Sequence, residues 1–376
     1  LTALEEVVLP STLESIEYGA FYGCGALQKI TFSSENNLKI INQNAFENCD
    51  LQETVELSSI CVISDYAFAG NQDLKEIITS DTLLSIGEYA FAGCKNLETV
   101  TITAQKVKYG PYAFTDCEKL TSFYVNAAVL PEGMFYECKA LESVSVGPDV
   151  NDIGEFAFRD TAVKTLEVTE GNKTYKVQSA DYIISADEKT LVAVAPSLTG
   201  AYTAANCGGA EITAIAGGAF SHNLKLTSVE LPKVTQLGDY AFGSAETITT
   251  VTLGELTKIG EYAFFETATT QLPSFTVDTE IGRYAFAFTD ITAITIPDNM
   301  QIAEGVFSEC KSLATIVIGN DVTVGKYAFG HNKDYIYTVQ NYNEVQLKGE
   351  GEDAQEIEEK YFYYTFQTDL TSLNIG

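Results

Sequence analysis

Thirteen times along the chain a phenylalanine returns at nearly constant spacing, at Phe21, Phe46, Phe68, Phe91, Phe114, Phe135, Phe158, Phe220, Phe242, Phe264, Phe286, Phe307 and Phe329. The intervals are 21 to 25 residues, apart from one of 62. The residue before the anchor is Ala in every copy except Met134 and Val306, and the residue five before it is aliphatic in every copy except Tyr109. After the anchor comes Leu-x-x-Val-x-Val or a close variant, as in "LETVTI" (97–102), "LTSFYV" (120–125) and "LESVSV" (141–146). Register kept over this many copies is the signature of a repeat array.

A unit of about 22 residues cannot bury its own apolar face, but stacked copies can, each inward position packing on its equivalent one coil away. The tail alternates with period two, Val100 and Ile102 inward, Thr99, Thr101 and Thr103 outward, which predicts a half-buried strand. Stacking these strands makes a parallel sheet along one face. The segment holding Ile86 predicts a second extended piece, and "GEYAFAGC" (87–94) reads as a tight turn followed by one helical turn. Gly recurs four residues before the anchor (Gly87, Gly110, Gly154, Gly238, Gly260, Gly282, Gly325), which marks a backbone position awkward for side chains.

These residues, "IGEYAFAGCKNLETVTI" above all, resemble the BspA-like, Treponema-type, leucine-rich repeat family over roughly residues 1–340. The resemblance implies a leucine-rich repeat solenoid: a β-rich, right-handed coil with a concave parallel sheet and short helical turns. It further implies a secreted or surface-exposed bacterial protein of host-associated microbes that binds extracellular-matrix or host-cell proteins.

Six of the eight cysteines, Cys24, Cys49, Cys94, Cys117, Cys138 and Cys310, lie three residues after an anchor, a slot held elsewhere by Asn71, Asn223, Asn332, Thr161, Thr267, Thr289 or Ala245. A site shared by small residues and Asn suits free, buried, structural thiols, since a thiol packs as a small hydrophobe and donates weakly. The slot is similar to that of other leucine-rich repeats, where Asn or Cys bonds the turning backbone. The alternative is a bridge between adjacent coils such as Cys94 to Cys117, which requires Cβ atoms ~3.8 Å apart. A straight column does not offer zinc its four-ligand geometry. Cys61 and Cys207 fall outside the column.

The long interval holds "TYKVQSADYIISADEKTLVAVAPS" (174–197), two β-prone runs around "SADEKT" that read as a hairpin. Inserts of this kind are common in the family the chain resembles. The hairpin either closes a stack edge or protrudes toward a ligand. After Asn332 the pattern decays into the acidic "KGEGEDAQEIEEK" (348–360), a solvated turn or short helix without EF-hand ligand spacing, and then the apolar "YFYYTF" (361–366), suited either to covering the last coil or to beginning a further domain. The expected organisation is an N-terminal leucine-rich repeat stack (1–169), a β-hairpin insert (170–206), a C-terminal stack (207–340) and a C-terminal cap (341–376).

No active site emerges. The two histidines, His222 and His331, occupy one repeat slot several coils apart and share no metal. There is no phosphate-binding glycine loop, and no catalytic, cofactor or metal residue is assigned. With 52 acidic against 22 basic residues and a formal charge of −30, nucleic acid is an unsuitable partner; the charge suits solubility or a basic protein partner. No apolar run approaches the ~18 residues that cross a bilayer. The chain opens at Leu1 inside a repeat, so its first residues carry no information about secretion.

The informative positions are the outward ones of the strands. Thr99, Thr101, Ser122, Tyr124, Ser143, Ser145, Glu230 and Thr252 make a hydroxyl-rich face able to receive an extended protein surface. Threonine is also a good strand former, so propensity alone places many of the same residues there. A Tyr column two before the anchor (Tyr66, Tyr89, Tyr112, Tyr240, Tyr262, Tyr284, Tyr327) is expected to pack on the turn. The resulting expectation is a monomeric, non-catalytic, extracellular or cell-surface-anchored scaffold for protein–protein recognition, with adhesion to host or matrix proteins implied by the resemblance. The alternative is a structural spacer or stalk with no ligand of its own.

Overall fold

The computed structural model describes residues 3–33, 36–177 and 179–330, together with the strands Tyr342–Lys348, Tyr361–Gln367 and Ser372–Ile375. His331, Asn332 and the acidic residues 349–360 lie outside the described residues. The chain divides into two units, one of residues 1–186 and 194–197, the other of 187–193 and 198–376.

In the first unit each coil contributes a longer and a shorter strand, and within each ladder a strand pairs in parallel with its equivalent in the next coil. The longer strands form three ladders: Glu6–Leu9 with Lys29–Phe32; Glu53–Leu57 with Leu74–Thr79 and Thr99–Thr101; and Ser122–Val125 with Ser143–Val146 and Thr165–Val168. The shorter strands run Ser15–Ile16, Ile40–Ile41, Val62–Ile63, Ser85–Ile86 and Lys108–Tyr109 in one ladder, then Val129–Leu130 with Asp152–Ile153 in another. Near the end of the unit, Tyr175–Lys176 pairs antiparallel with Tyr182–Ser185.

The second unit repeats the scheme. Its longer strands are Gly200–Thr203, Leu226–Leu231 and Thr250–Leu253, then Ala293–Ile296, Thr315–Ile318 and Ser372–Ile375. The other column runs Ala214–Ile215, Gln236–Leu237, Leu256–Ile259 and the seven-residue Phe275–Ile281. Tyr342–Lys348 and Tyr361–Gln367 make an antiparallel pair. Each unit is thus a parallel-strand β-solenoid, as the period requires.

The core of each coil is the set of inward residues the period picks out. Phe46, Phe68, Phe91 and Phe114 are fully buried, and their rings stack in sequence with centroids 5.3–5.4 Å apart. In the second unit Phe220, Phe242, Phe264 and Phe286 do the same at 5.0–5.1 Å. This pitch exceeds the ~4.8 Å between paired strands only slightly, so backbone pairing dictates the ring spacing and the rings settle offset rather than face to face.

The segment around each anchor differs from a helical turn. Two bond sets alternate along it. Ala90, Ala92 and Cys94 donate N–H bonds three residues back, to Gly87, Tyr89 and Phe91, while Tyr89, Phe91 and Gly93 donate across to Pro111, Ala113 and Thr115 of the next coil. Sending alternate N–H groups out of the coil requires left-handed residues on both sides of the anchor: Tyr89 has φ +52° and Gly93 +69°, and Tyr112 and Asp116 have +55° and +57°. Non-glycine residues seldom adopt this region, and repeated excursions into it prevent an α-helix. Among the described residues the one helix is the 3-10 turn Ala204–Cys207.

The recurrent glycines four before the anchor sit elsewhere in this scheme. A Cβ at Gly87 would lie 2.5 Å from the Asp65 backbone nitrogen and 2.6 Å from the Ser64 carbonyl carbon. A Cβ at Gly110 would lie 2.4 Å from the Glu88 nitrogen. The constraint is the close approach of the preceding coil, not a left-handed backbone.

The slot three after the anchor ties coils together. The thiols of Cys94, Cys117 and Cys138 donate to the anchor carbonyls of Phe68, Phe91 and Phe114, one coil earlier, at 3.3, 3.4 and 3.0 Å. Asn71 does more in the same slot. Its Nδ2 donates to both Phe46 O and Phe68 O at 2.8 Å, and its Oδ1 accepts from the Leu51 N–H at 3.2 Å. Thr267 and Thr289 donate to their own coil's anchor carbonyl, and the Thr289 hydroxyl also lies 3.3 Å from the Cys310 thiol of the next coil. All eight cysteines are free thiols. Outside the column, Cys61 is half-buried beside the Ser59 carbonyl, and Cys207 is buried 3.6 Å from the Tyr202 hydroxyl.

Candidate functional site

The outward side chains of the longer strands are brought into rows by the parallel register. In the first unit Ser122, Ser143 and Thr165 are register partners, as are Tyr124, Ser145 and Glu167. Between them Phe123, Val144 and Leu166 point inward and are buried. Ser145 donates its hydroxyl to Glu167 Oε2 at 2.6 Å. Tyr124 is 48% exposed, and its hydroxyl oxygen would lie 3.2 Å from a Cβ on Gly147, so the absence of a side chain there leaves room for the end of the ring.

Thr99 and Thr101 belong to a separate ladder of the same unit. Both are exposed, in register with Glu76 and Ile78. The Glu76 carboxylate accepts from Thr54 at 2.9 Å and from Thr99 at 3.3 Å, one hydroxyl on each oxygen. In the second unit Glu230 and Thr252 are register partners, both exposed. The expected residues therefore fall into three groups: Ser122, Tyr124, Ser143 and Ser145 in one ladder, Thr99 and Thr101 in another, and Glu230 with Thr252 in a third.

Two acids of this face, Glu76 and Glu167, were not picked out by alternation within single strands. They stand one period after Thr54 and Ser145, and comparison of outward slots at 22-residue spacing identifies them. The same comparison exposes a set of opposite charges one coil apart. Lys29 pairs with Glu6 at 3.0 Å, Lys75 with Glu53 at 2.9 Å and Lys164 with Glu142 at 2.6 Å; Lys233 also pairs with Glu211, and Arg283 with Glu261. The hydrogen bond from Lys29 holds the Glu6 carboxyl below the usual carboxylate range, with the Thr31 hydroxyl adding to it. The Glu53 bond raises Lys75. Exposed pairs of this kind add little stability. They neutralise acids that would otherwise repel along the stacking direction.

The column of Tyr residues packs as expected. Tyr66, Tyr89 and Tyr112 stack at 5.0 and 5.1 Å, and Tyr240, Tyr262 and Tyr284 at 4.8 and 5.2 Å. Burial pushes the Cys94 thiol up to about 12 and the Cys310 thiol up to about 11, far from the thiolate a nucleophile or metal ligand needs. Among the described residues no three His, Cys, Asp or Glu side chains gather as a metal site. Among the same residues no helix is long and apolar enough to cross a membrane.

The face is therefore a set of hydroxyls, carboxylates and one exposed aromatic ring held on a rigid lattice. It is equipped for hydrogen bonding and surface contact. Comparison with known proteins places this lattice. A crystal structure of a leucine rich cell surface protein from Faecalibacterium prausnitzii is similar, with a TM-score of 0.51 and 20% identity over 84% of this chain and 87% of that one. A leucine-rich repeat protein from Bacteroides ovatus aligns at a TM-score of 0.46 and 22% identity, over 86% of this chain and 76% of that one. No curated protein matches the chain. The family model described as BspA type leucine rich repeat region matches residues 1–121, 61–180 and 213–337, well over half of the sequence, and the chain therefore belongs to the BspA-type leucine-rich repeat family.

Proposed function

We propose that the protein is a non-catalytic recognition scaffold, extracellular or anchored at a cell surface, that binds another protein through the outward face of its longer strands. The observation that carries this reading is the Ser122–Val125, Ser143–Val146 and Thr165–Val168 ladder, where register sets Tyr124, Ser145 and Glu167 side by side on the outward face. Leucine-rich repeat domains typically bind proteins, and Tyr is among the residues that most often anchor an interface. Carboxylates at Glu76 and Glu167, in a chain of net charge −30, favour a partner with a basic, hydrogen-bonding surface. In the first unit the proposed face comprises Thr99, Thr101, Ser122, Tyr124, Ser143 and Ser145, extended by Glu76 and Glu167, and in the second unit Glu230 with Thr252 makes a separate candidate patch. The protein acts as a monomer, and its stack, insert and cap boundaries at 169, 206 and 340 are part of the same proposal. Family membership and the likeness to a chain described as a cell surface protein support the surface location.

The test is surface plasmon resonance of the protein against immobilised extracellular-matrix proteins. Saturable binding is expected, weakened about tenfold by the double substitution Tyr124→Ala with Glu167→Ala, at an unchanged thermal midpoint. Binding to none of the panel, or binding indifferent to the double substitution, overturns the proposal.

A further inference from the structure

The turns ahead of the anchors carry one four-coil pattern in both units. In the first unit the successive pairs are Asp65 and Tyr66, Glu88 and Tyr89, Pro111 and Tyr112, Glu132 and Gly133; in the second they are Asp239 and Tyr240, Glu261 and Tyr262, Arg283 and Tyr284, Glu304 and Gly305. The geometry repeats with the residues. Asp65 Oδ1 accepts from the Glu88 N–H at 2.8 Å, and Asp239 Oδ1 from the Glu261 N–H at 2.8 Å. The Tyr112 hydroxyl donates to Glu132 Oε1 at 2.6 Å, and the Tyr284 hydroxyl to Glu304 Oε1 at 3.4 Å. The last ring of each column lies over the glycine of the next coil, Tyr112 over Gly133 and Tyr284 over Gly305.

One position differs in charge. Arg283 reaches back to Glu261, Nε to Oε1 at 3.2 Å and Nη2 to Oε2 at 3.4 Å, while its Nη1 lies 4.0 Å from Glu304 Oε2. A forked grip of this kind on a carboxylate is the mark of a guanidinium. In the first unit the same place belongs to Pro111, which is uncharged and exposed. Glu88 and Glu132 on either side of it are exposed as well. Among the described residues no ion pair reaches either acid, and neighbouring lysines are engaged elsewhere, Lys75 with Glu53 and Lys95 with Asp116 and Glu118. Burial raises the Tyr89 hydroxyl above the ordinary phenol value, and Glu88 and Glu132 both push it further, so the two carboxylates act on one phenol.

We propose that Glu88 and Glu132 form a docking site for an arginine side chain of a partner protein, which takes the place that Arg283 takes in the second unit. The guanidinium forks onto Glu88 and faces Glu132, and its apolar stem lies along Pro111. Charge complementarity favours this occupant, since the two acids are unopposed in a chain of net charge −30. The site lies on the turns ahead of the anchors, apart from the outward face of the longer strands, and does not depend on recognition there.

The experiment is a chemical-shift titration of the isotope-labelled full chain with N-acetylarginine methylamide and its lysine and citrulline counterparts, at about 0.15 M salt to screen distant charges. The arginine compound is expected to shift the amides of Glu88, Tyr89 and Glu132 saturably, about threefold more tightly than the lysine compound, with no saturation by uncharged citrulline. Glu88→Gln is expected to weaken it about threefold, while Glu170→Gln, which removes the same charge elsewhere, leaves it unchanged. Pro111→Arg is expected to abolish binding by filling the place from within, at an unchanged thermal midpoint. The backbone there already suits arginine, since Tyr89 N–H reaches the Pro111 carbonyl at 3.1 Å and Tyr262 N–H the Arg283 carbonyl at 3.0 Å. Arg283→Gln is expected to open a second set of saturable shifts at Glu261 and Glu304. Lysine binding as tightly as arginine, affinity retained in Glu88→Gln or Pro111→Arg, or no second set in Arg283→Gln overturns the proposal.

Discussion

The rings of Phe91 and Phe114 lie parallel within 3°, with centroids 5.3 Å apart, and neither is exposed to solvent. Twenty-three residues separate them in sequence. The contact exists only because the intervening coil closes on itself, so each ring reports on the coil beyond it as well as its own. Phe91→Ala is expected to cost about 3–5 kcal/mol in urea unfolding. Lys75→Ala, which removes an exposed ion pair, is expected to change stability by less than about 0.5–1 kcal/mol. A small effect at Phe91 would contradict the ring column as the core.

Asn71 and the cysteines fill one slot with different bonding capacity. Asn71→Ala strands the Phe46 carbonyl and the Leu51 N–H and leaves the Phe68 carbonyl to the weak Cys94 thiol donor, and about 2–3 kcal/mol of lost stability is expected. Asn71→Cys restores one donor in the geometry Cys94 already uses, so it is expected to recover roughly 1 kcal/mol of that loss. Urea midpoints of the two variants, compared at equal slope, check the ranking.

Glycines in this chain differ in what a methyl group would meet. Gly87→Ala drives a Cβ into the Ser64–Asp65 backbone, and a loss of about 1–3 kcal/mol is expected. Gly25 has open space around it and no left-handed backbone, so Gly25→Ala is expected to gain about 0.4–1 kcal/mol by restricting the unfolded chain. Thermal midpoints should move in opposite directions.

The column thiols set a pH dependence. Burial raises Cys94 to about 12 and Cys310 to about 11, above the ordinary thiol value the unfolded chain shows. Between those limits the folded state binds more protons than the unfolded one, so stability is complete below about pH 8.5 and falls as pH rises toward 11–12. Urea midpoints between pH 8 and pH 10.5 should decline, and less steeply in Cys94→Ser. At pH 8 a thiol-disulfide reagent is expected to label half-buried Cys61 first and the column cysteines only on unfolding. Fast labelling of Cys94 in the folded protein would refute the assignment.

Much of the candidate face was legible because strand alternation is a local property. The outward Thr, Ser and Tyr residues could be marked from each "LxxVxV" tail by itself. Which of them share a ladder could not, since alternation is silent about where one hydrogen-bonded ladder ends. The break beside Lys108–Tyr109 follows from two aromatic residues, Tyr109 and Phe123, fourteen residues apart in sequence and packed edge-on in space. Glu76 and Glu167 were recoverable, but only by comparing outward slots across coils.

Period, anchor identity and alternation were enough to determine a stacked coil with parallel strands, the Phe column inside it and the shared Asn/Cys slot. Those features repeat, and a repeat must bury the same positions each time. The backbone path around the anchor was decided by tertiary structure alone. Tyr89 takes φ +52° because its N–H must reach Pro111 of the next coil, and no propensity of tyrosine points to a left-handed residue. The same holds for Gly87, whose lack of a side chain answers to Ser64 and Asp65 of the coil before it. Sequence specifies what each coil must bury; only the neighbouring coil specifies how closely the chain must bend to bury it.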